Sequence, residues 1–306
     1  MKILVTGVGG PAGSSLARQL HARGHSVIGA DMVPTTDPLL DAFHQVPAAS
    51  QQQYPARLQE IVLEHSVELV IPTVSEELPV LSAASIRELL ESAGARLLIS
   101  SEESVLISDD KYYTMLTLRG DNVPVPDFAR INAGSTEALA RFSPEEQIII
   151  KPRVSRGGRG VRLATAGDLG AGRVPAGTRD VVQRFAPGRE FAPMIFKNPD
   201  SGDIEACVVV EKTELREGLV GNAVSVSRCD SDDPIAAHVA WVARNAVQSL
   251  ELVGPVDMDV RLGSDGQPVV LEVNARFGAN SQSAPELLDA ALRLAGVAST
   301  AQVGCA

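Results

Sequence analysis

Lysine is scarce in this chain of 306 residues. Of its 27 basic residues only five are lysines (Lys2, Lys111, Lys151, Lys197 and Lys212), and the other 22 are arginines. A chain that uses arginine almost everywhere keeps lysine where a compact, adjustable ammonium is wanted. Cysteine is scarce as well. Cys207, Cys229 and Cys305 are odd in number and show no C-x-x-C spacing, which excludes a disulfide framework and a zinc site. Three reduced thiols fit a cytoplasmic protein. No apolar run approaches the ~18–20 residues of a membrane helix, and the run Ile3-Leu4-Val5 is too brief for a signal-peptide core. Positive charge is in deficit, with 38 acids against 27 bases, a net charge of -11 and a pI near 5.0. That balance speaks against a nucleic-acid partner, which would call for a basic face. What remains is an ordinary soluble composition, 44% hydrophobic and 21% charged, in a chain long enough for about two domains of ~100–200 residues each.

The hydrophobic pattern changes part-way along. KILVT is a continuous apolar run of the kind found in buried parallel strands, followed by GVGGPAG and a helix over SSLARQLHARG. SVIGAD, VELVIPT and ARLLIS read as further strands, separated by a Pro/Asp-rich loop and by helices near 55–64 and in IRELLESAG. This alternation over the first ~100 residues predicts a doubly wound parallel sheet. Beyond residues 101–108 come a helix over 109–120 and an extended VPVPDFARI. QIIIKPRV and GVRLA read as paired strands, followed by DVVQRF, EFAPMIF, IEACVVVEK and VGNAVSVS in hairpin-like succession. A helix over 234–250, a hairpin DMDVRL/VVLEVN and a last helix PELLDAALRLAG complete an α/β region followed by an α+β region.

Four constellations carry chemistry. Gly7, Gly10 and Gly13 lie between a strand and a helix, and Asp31 ends the next strand. That is the context of a dinucleotide fingerprint. An NAD(P)-dependent epimerase or reductase therefore stays open, although none of the three tyrosines has a lysine four residues on, and the glycines could equally make a tight turn only. Next, strand residues 148–150 deliver Lys151, and Ser155-Arg156-Gly157-Gly158-Arg159-Gly160 forms a flexible loop. Gln147 to Gly167 holds five positive residues and no acid. This reads as a polyphosphate grip, with a solvated basic hairpin as the alternative. Downstream, Gln183-Arg184-Phe185-Ala186 leaves a strand through Pro187-Gly188, a hinge able to offer backbone groups to adenine, with Glu190 for ribose hydroxyls. The last constellation pairs Asp257 and Asp259 with Glu272, Asn274 and Arg276. Period-2 alternation puts the last three on one face, and such hard oxygen ligands suit Mg²⁺ bridging phosphates. A plain Glu272–Arg276 ion pair is the alternative.

Taken together these residues resemble the ATP-grasp superfamily, in the style of the carbamoyl-phosphate-synthase-like carboxylate–amine ligases. KILVTGVGGPAG and VIPTVSEEL look like its Rossmann-like pre-ATP-grasp domain, which binds no dinucleotide. Ser108-Asp109-Asp110-Lys111, IIIKPRVSRGGRGV, VVQRFAPGRE and VVLEVNAR resemble, in order, the start of its ATP-binding lobe, its lysine strand and flap, its hinge and its metal strand. The resemblance implies a pre-ATP-grasp domain over 1–104 and a two-lobed ATP-grasp domain over 105–306, its small lobe 105–185 and its C-terminal lobe 186–306. It implies that Lys111 and Lys151 contact ATP phosphates under a flap containing Ser155, Gly157, Gly158 and Gly160. Gln183, Arg184, Phe185 and Ala186 would surround adenine and Glu190 would hold ribose. Asp259, Glu272 and Asn274 would bind two Mg²⁺ (or Mn²⁺), and Lys151 and Arg276 would act catalytically, Arg276 on an acyl-phosphate. The implied partners are a small-molecule carboxylate and an amine, with no membrane, and a homodimer is a further expectation. Three departures stand out: Gln183 where the family often has Glu, Ala275 for the usual Pro, and Asp257 competing with Asp259 for the metal. Ser75-Glu76-Glu77, residues 212–228 and Gly278-Ala279-Asn280-Ser281 are candidates for substrate selection. A non-catalytic nucleotide-binding protein is a third possibility. About thirty residues follow Arg276, little room for another domain.

Overall fold

The computed structural model describes residues 1–131, 137–215, 223–230 and 232–296; Cys305 and part of the 212–228 segment lie outside the described residues. The first sheet contains β1 (Lys2–Thr6), β2 (Ser26–Asp31), β3 (Ala42–Gln45), β4 (Leu69–Ile71) and β5 (Arg96–Leu97), all parallel, in the order β3-β2-β1-β4-β5. Ile3, Leu4 and Val5 are wholly buried because β1 is central and both faces of the sheet are covered. The third strand of this sheet is a correction. AFHQ, just after the Pro/Asp-rich loop, is not among the expected strands, since a half-exposed edge strand of four residues has no apolar run to announce it.

A helix Glu102–Asp109, which no periodicity signals, precedes the expected one, Lys111–Gly120. Asp110 separates the two, its carboxylate accepting from the Tyr112 and Tyr113 amides as an N-cap.

The strands that follow divide between two antiparallel sheets rather than forming one. β6 (Phe128–Arg130), β7 (Gln147–Pro152), β8 (Arg162–Thr165) and β9 (Asp180–Arg184) make a four-stranded sheet ordered β6-β9-β7-β8. β10 (Glu190–Lys197), β11 (Ile204–Leu215), β12 (Ala223–Arg228), β13 (Gly254–Leu262) and β14 (Pro268–Asn274) make a five-stranded sheet ordered β12-β11-β10-β13-β14. DVVQRF thus belongs with the lysine strand, not with the hairpins after it. The break falls at Pro187-Gly188, where a Cβ on Gly188 would lie 2.6 Å from Leu262 Cβ.

Hydrophobic burial follows the same division. One apolar cluster runs from Leu4, Ile28 and Val70 of the first sheet to Val256, Val260 and Val273 of the third, and a second joins Ile3 and Val27 to Phe196 and Phe277. The four-stranded sheet keeps a small core of its own, around Phe142, Ile148, Ile150 and Val182. Among the described residues no helix is long and apolar enough to cross a membrane.

Candidate active site

Between the four-stranded and five-stranded sheets lies a cavity of about 200 Å³. On one side β7 carries Lys151, only 5% exposed, whose Nζ crosses to donate to the Leu271 carbonyl on β14 at 2.9 Å. Burial pulls this ammonium down to about 8 from 10.5, an effect that Glu272 opposes and Lys111 reinforces. Gly157 and Gly158 close the same side with φ of 58° and 73°, backbone that favours glycine. Ser155 and Gly160 belong to the same loop but do not line the cavity. Ser155 O instead accepts from Lys111 Nζ at 2.6 Å, and that Nζ also stands 3.1 Å from Glu272 Oε1. Lys111 is thus buried beneath the flap rather than in the cavity lining. Arg153 grips Asp110 through both Nε and Nη2, tying the start of the Lys111 helix to the flap strand.

The opposite wall is the β13–β14 hairpin. Its register sets Asp259 beside Glu272 and Asp257 beside Asn274, so four oxygen-bearing side chains form a two-by-two patch lining the cavity. Arg276 follows, donating to Asn274 Oδ1 at 3.1 Å, Phe277 O at 2.9 Å and Ser75 Oγ at 3.1 Å. At the hinge, Arg184, Phe185 and Ala186 line the cavity beside the buried Gln183.

A family model described as the ATP-grasp domain matches residues 108–280. The chain belongs to the ATP-grasp family. Residues 3–98 match a second model, that of the NAD dependent epimerase/dehydratase family. No curated protein matches the chain. Solved structures do. N5-carboxyaminoimidazole ribonucleotide synthetase from Thermotoga maritima is 20% identical with a TM-score of 0.65, covering 90% of this chain and 68% of that one. L-amino acid ligase from Bacillus licheniformis is 17% identical with a TM-score of 0.68, over 92% and 68%. The ADP complex of N5-carboxyaminoimidazole synthetase from Staphylococcus aureus is 16% identical with a TM-score of 0.74, over 97% and 78%. At such identities the likeness is one of fold, and it covers the pairing of a Rossmann-like sheet with an ATP-grasp region.

Within this ATP-grasp arrangement three charged side chains have a part that sequence reasoning missed or left open. Glu190 is gripped on both oxygens, by Lys212 Nζ at 2.6 Å and by Arg261 Nε at 2.8 Å. Lys212 reaches on to Asp259 Oδ1 at 2.7 Å, and Arg261 donates to the Ala186 carbonyl at 3.2 Å. Burial alone would lower the Lys212 ammonium, but Asp259 and Glu190 outweigh it and raise it well above the usual lysine range. In return, burial would raise Asp259, and the Lys212 charge holds it low. The signal for Arg261 was available: it continues the period-2 row Asp257, Asp259 along β13. Asp257 is the third. Burial, and then the Asp259 charge, push its carboxyl up to about 7.

Two expectations change in detail. The hinge has fewer free backbone groups than supposed, because Phe185 N already donates to Gln147 O at 3.1 Å and Ala186 O is taken by Arg261. Of the trio after β4, Ser75 meets Arg276 and Glu76 pairs with flap residue Arg156 at 2.5 Å. Glu77 instead faces the first sheet, fully buried, accepting from Thr6 Oγ1, Tyr54 OH and the Thr73 and Val74 amides. As for the glycine motif, the Asp31 carboxylate accepts from the Gly9 and Val33 amides at 2.9 and 3.0 Å, so it braces the turn locally.

Proposed function

We propose that the chain is an ATP-dependent carboxylate–amine ligase acting on a small molecule or amino acid. A substrate carboxylate oxygen attacks the γ-phosphorus of ATP, ADP leaves, and the amine then displaces phosphate from the acyl-phosphate to give an amide. Residues 1–104 act as the pre-ATP-grasp unit and 105–306 as the ATP-grasp unit. Lys151, with Lys111 behind it, steadies the phosphates, and the Gly157/Gly158 flap shuts out water that would hydrolyse the intermediate. Gln183, Arg184, Phe185 and Ala186 receive adenine, Glu190 the ribose, and Arg276 offsets charge on the acyl-phosphate. Asp259, Glu272 and Asn274 are hard oxygen donors on one face, a donor set that fits Mg²⁺. A divalent ion held by these three residues would supply positive charge to offset that of the phosphate oxygens.

The observation that carries the reading is that a single cavity has the lysine and glycine flap on one wall and the acidic patch with Arg276 on the other. The ligases and synthetases among its structural neighbours, such as L-amino acid ligase from Bacillus licheniformis, agree with it. Glu272→Gln keeps the shape of the side chain, and its Mg²⁺-dependent ADP release should fall by at least ~100-fold, more than loss of a supporting contact alone. Wild-type turnover by a correctly folded variant, judged by circular dichroism, refutes the assignment. A second reading rests on the epimerase-type match over residues 3–98: an NAD(P)-dependent enzyme using Gly7, Gly10, Gly13 and Asp31. It predicts thermal stabilisation by NADPH and none by Mg·ATP, the opposite of the ligase.

A further inference from the structure

Three of the four oxygen-bearing side chains on the hairpin patch already have a cationic partner in the protein. Lys212 holds Asp259, Lys111 stands against Glu272, and Arg276 donates to Asn274. Asp257 is different. It lines the cavity, yet its Oδ1 is buried and receives no hydrogen bond from the described residues. Arg276 and Lys212 offset its charge only in part and donate no hydrogen bond to that oxygen, so an anion in that position is costly unless a donor from outside the chain answers it.

Position along the hairpin says what that something is. Lys151 marks the phosphate end of the cavity, its Nζ on the Leu271 carbonyl. Glu272 and Asp259 come next, and the Asn274/Asp257 pair lies two residues further along the hairpin, toward Arg276. Two residues along a strand is ~7 Å, so Asp257 faces the far end of the cavity, beyond the carboxylates nearest the phosphate grip. Gly278 guards the same spot. A Cβ there would fall 2.3 to 2.5 Å from the Asp257 carboxylate atoms, and its backbone is not among those with positive φ. Glycine is needed at 278 for room, because any side chain would push the carboxylate from its place.

We propose that Asp257 is the docking carboxylate for a primary ammonium group of the substrate. This rests on the ligase reading and narrows it: at least one of the two joined molecules carries a protonated amine that is recognised as a charge. An ammonium supplies N–H donors and one positive charge, the complement of a carboxylate whose buried oxygen has an unfilled acceptor. Two sources share that chemistry, the α-ammonium of the acid being activated and the incoming amine.

The test uses the full-length protein with Mg·ATP and reads ADP release and hydroxamate formation. In one arm each common L-amino acid is compared with its desamino acid as acyl donor, with hydroxylamine, uncharged near neutral pH, as the fixed nucleophile. In the other arm the best donor is held constant and primary amines replace hydroxylamine. Asp257→Asn should raise KM for the amine-bearing partner ~10- to 100-fold, the worth of one charge-assisted hydrogen bond. KM for ATP and the Mg²⁺ concentration for half-maximal rate should stay within about twofold. The arm that shows the effect identifies the source. Gly278→Ala, which crowds the same carboxylate, should act in the same direction. A raised Mg²⁺ requirement in Asp257→Asn makes the residue a metal ligand and overturns the proposal, as does an unchanged KM. If wild-type enzyme forms hydroxamates equally from acids with and without an amino group, and amines gain nothing over hydroxylamine, the ammonium site falls while the ligase stands. If no pair releases ADP, the ligase reading itself falls and this inference with it.

Discussion

Replacing Lys151 by methionine should stabilise the unliganded protein while destroying its hold on nucleotide. The side chain is 5% exposed, and its ammonium titrates at about 8 against 10.5 for a free lysine. At ~1.4 kcal/mol per pH unit, keeping it charged in the folded chain costs about 3 kcal/mol. Methionine has a similar unbranched stem and carries no charge. Its own cost is the Leu271 carbonyl left without its 2.9 Å donor, ~1–2 kcal/mol. The net gain is therefore about 1–2 kcal/mol, a rise of a few degrees in Tm. The pH dependence separates this cause from better packing. Below pH 8 the lysine is protonated in both folded and unfolded chains, and the whole penalty is present. Between 8 and 10.5 the folded chain releases its proton first, the unfolded chain binds more protons, and wild-type stability climbs. The Tm difference between variant and wild type should accordingly be largest near pH 7 and shrink toward pH 10. Calorimetry across that range, with and without Mg·ATP, measures both effects. A variant less stable than wild type at pH 7, or a difference that does not change with pH, refutes the desolvation argument. A variant still stabilised by Mg·ATP refutes the phosphate role.

Two further substitutions probe how the site is held. Gly160→Ala places a Cβ at φ 76° and 2.8 Å from Pro152 Cγ, which should cost ~1–2 kcal/mol and raise KM for ATP by distorting the flap; unchanged nucleotide kinetics would make Gly160 irrelevant to closure. Tyr54→Phe removes a donor from the buried Glu77 carboxyl and should lower stability by ~1–3 kcal/mol in chemical denaturation. An unaltered midpoint would mean that the Thr6 and backbone donors suffice.

Much of the site was legible because its chemistry is written at short range. Lys151 and the glycines of 157–160 sit within one strand and its following loop, and Glu272, Asn274 and Arg276 follow the period of a single strand. The cavity brings those two local patterns together, on opposite walls. Much of the parallel sheet was equally readable, since buried strands of that kind are continuous apolar runs, and β3 escaped because it is not one.

What stayed hidden depends on which strands become neighbours. Lys212 lies 22 residues beyond Glu190, and nothing in their spacing says that they touch. They meet because β10 and β11 pair, and Arg261 joins them because β10 also pairs with β13 on its other side, opposite Glu190 in register. The sequence by itself determined the kinds of groups available: a lysine strand with a glycine-rich basic loop, a row of oxygen-bearing side chains, and a Rossmann-like sheet ahead of them. Only the tertiary structure decided which of those groups are satisfied. Burial and strand order supply cations to Asp259, Glu190 and Glu272 and leave the Asp257 Oδ1 without a hydrogen-bond donor among the described residues. Whether a charge is answered is a property of the packed surroundings, which residue type and spacing do not specify.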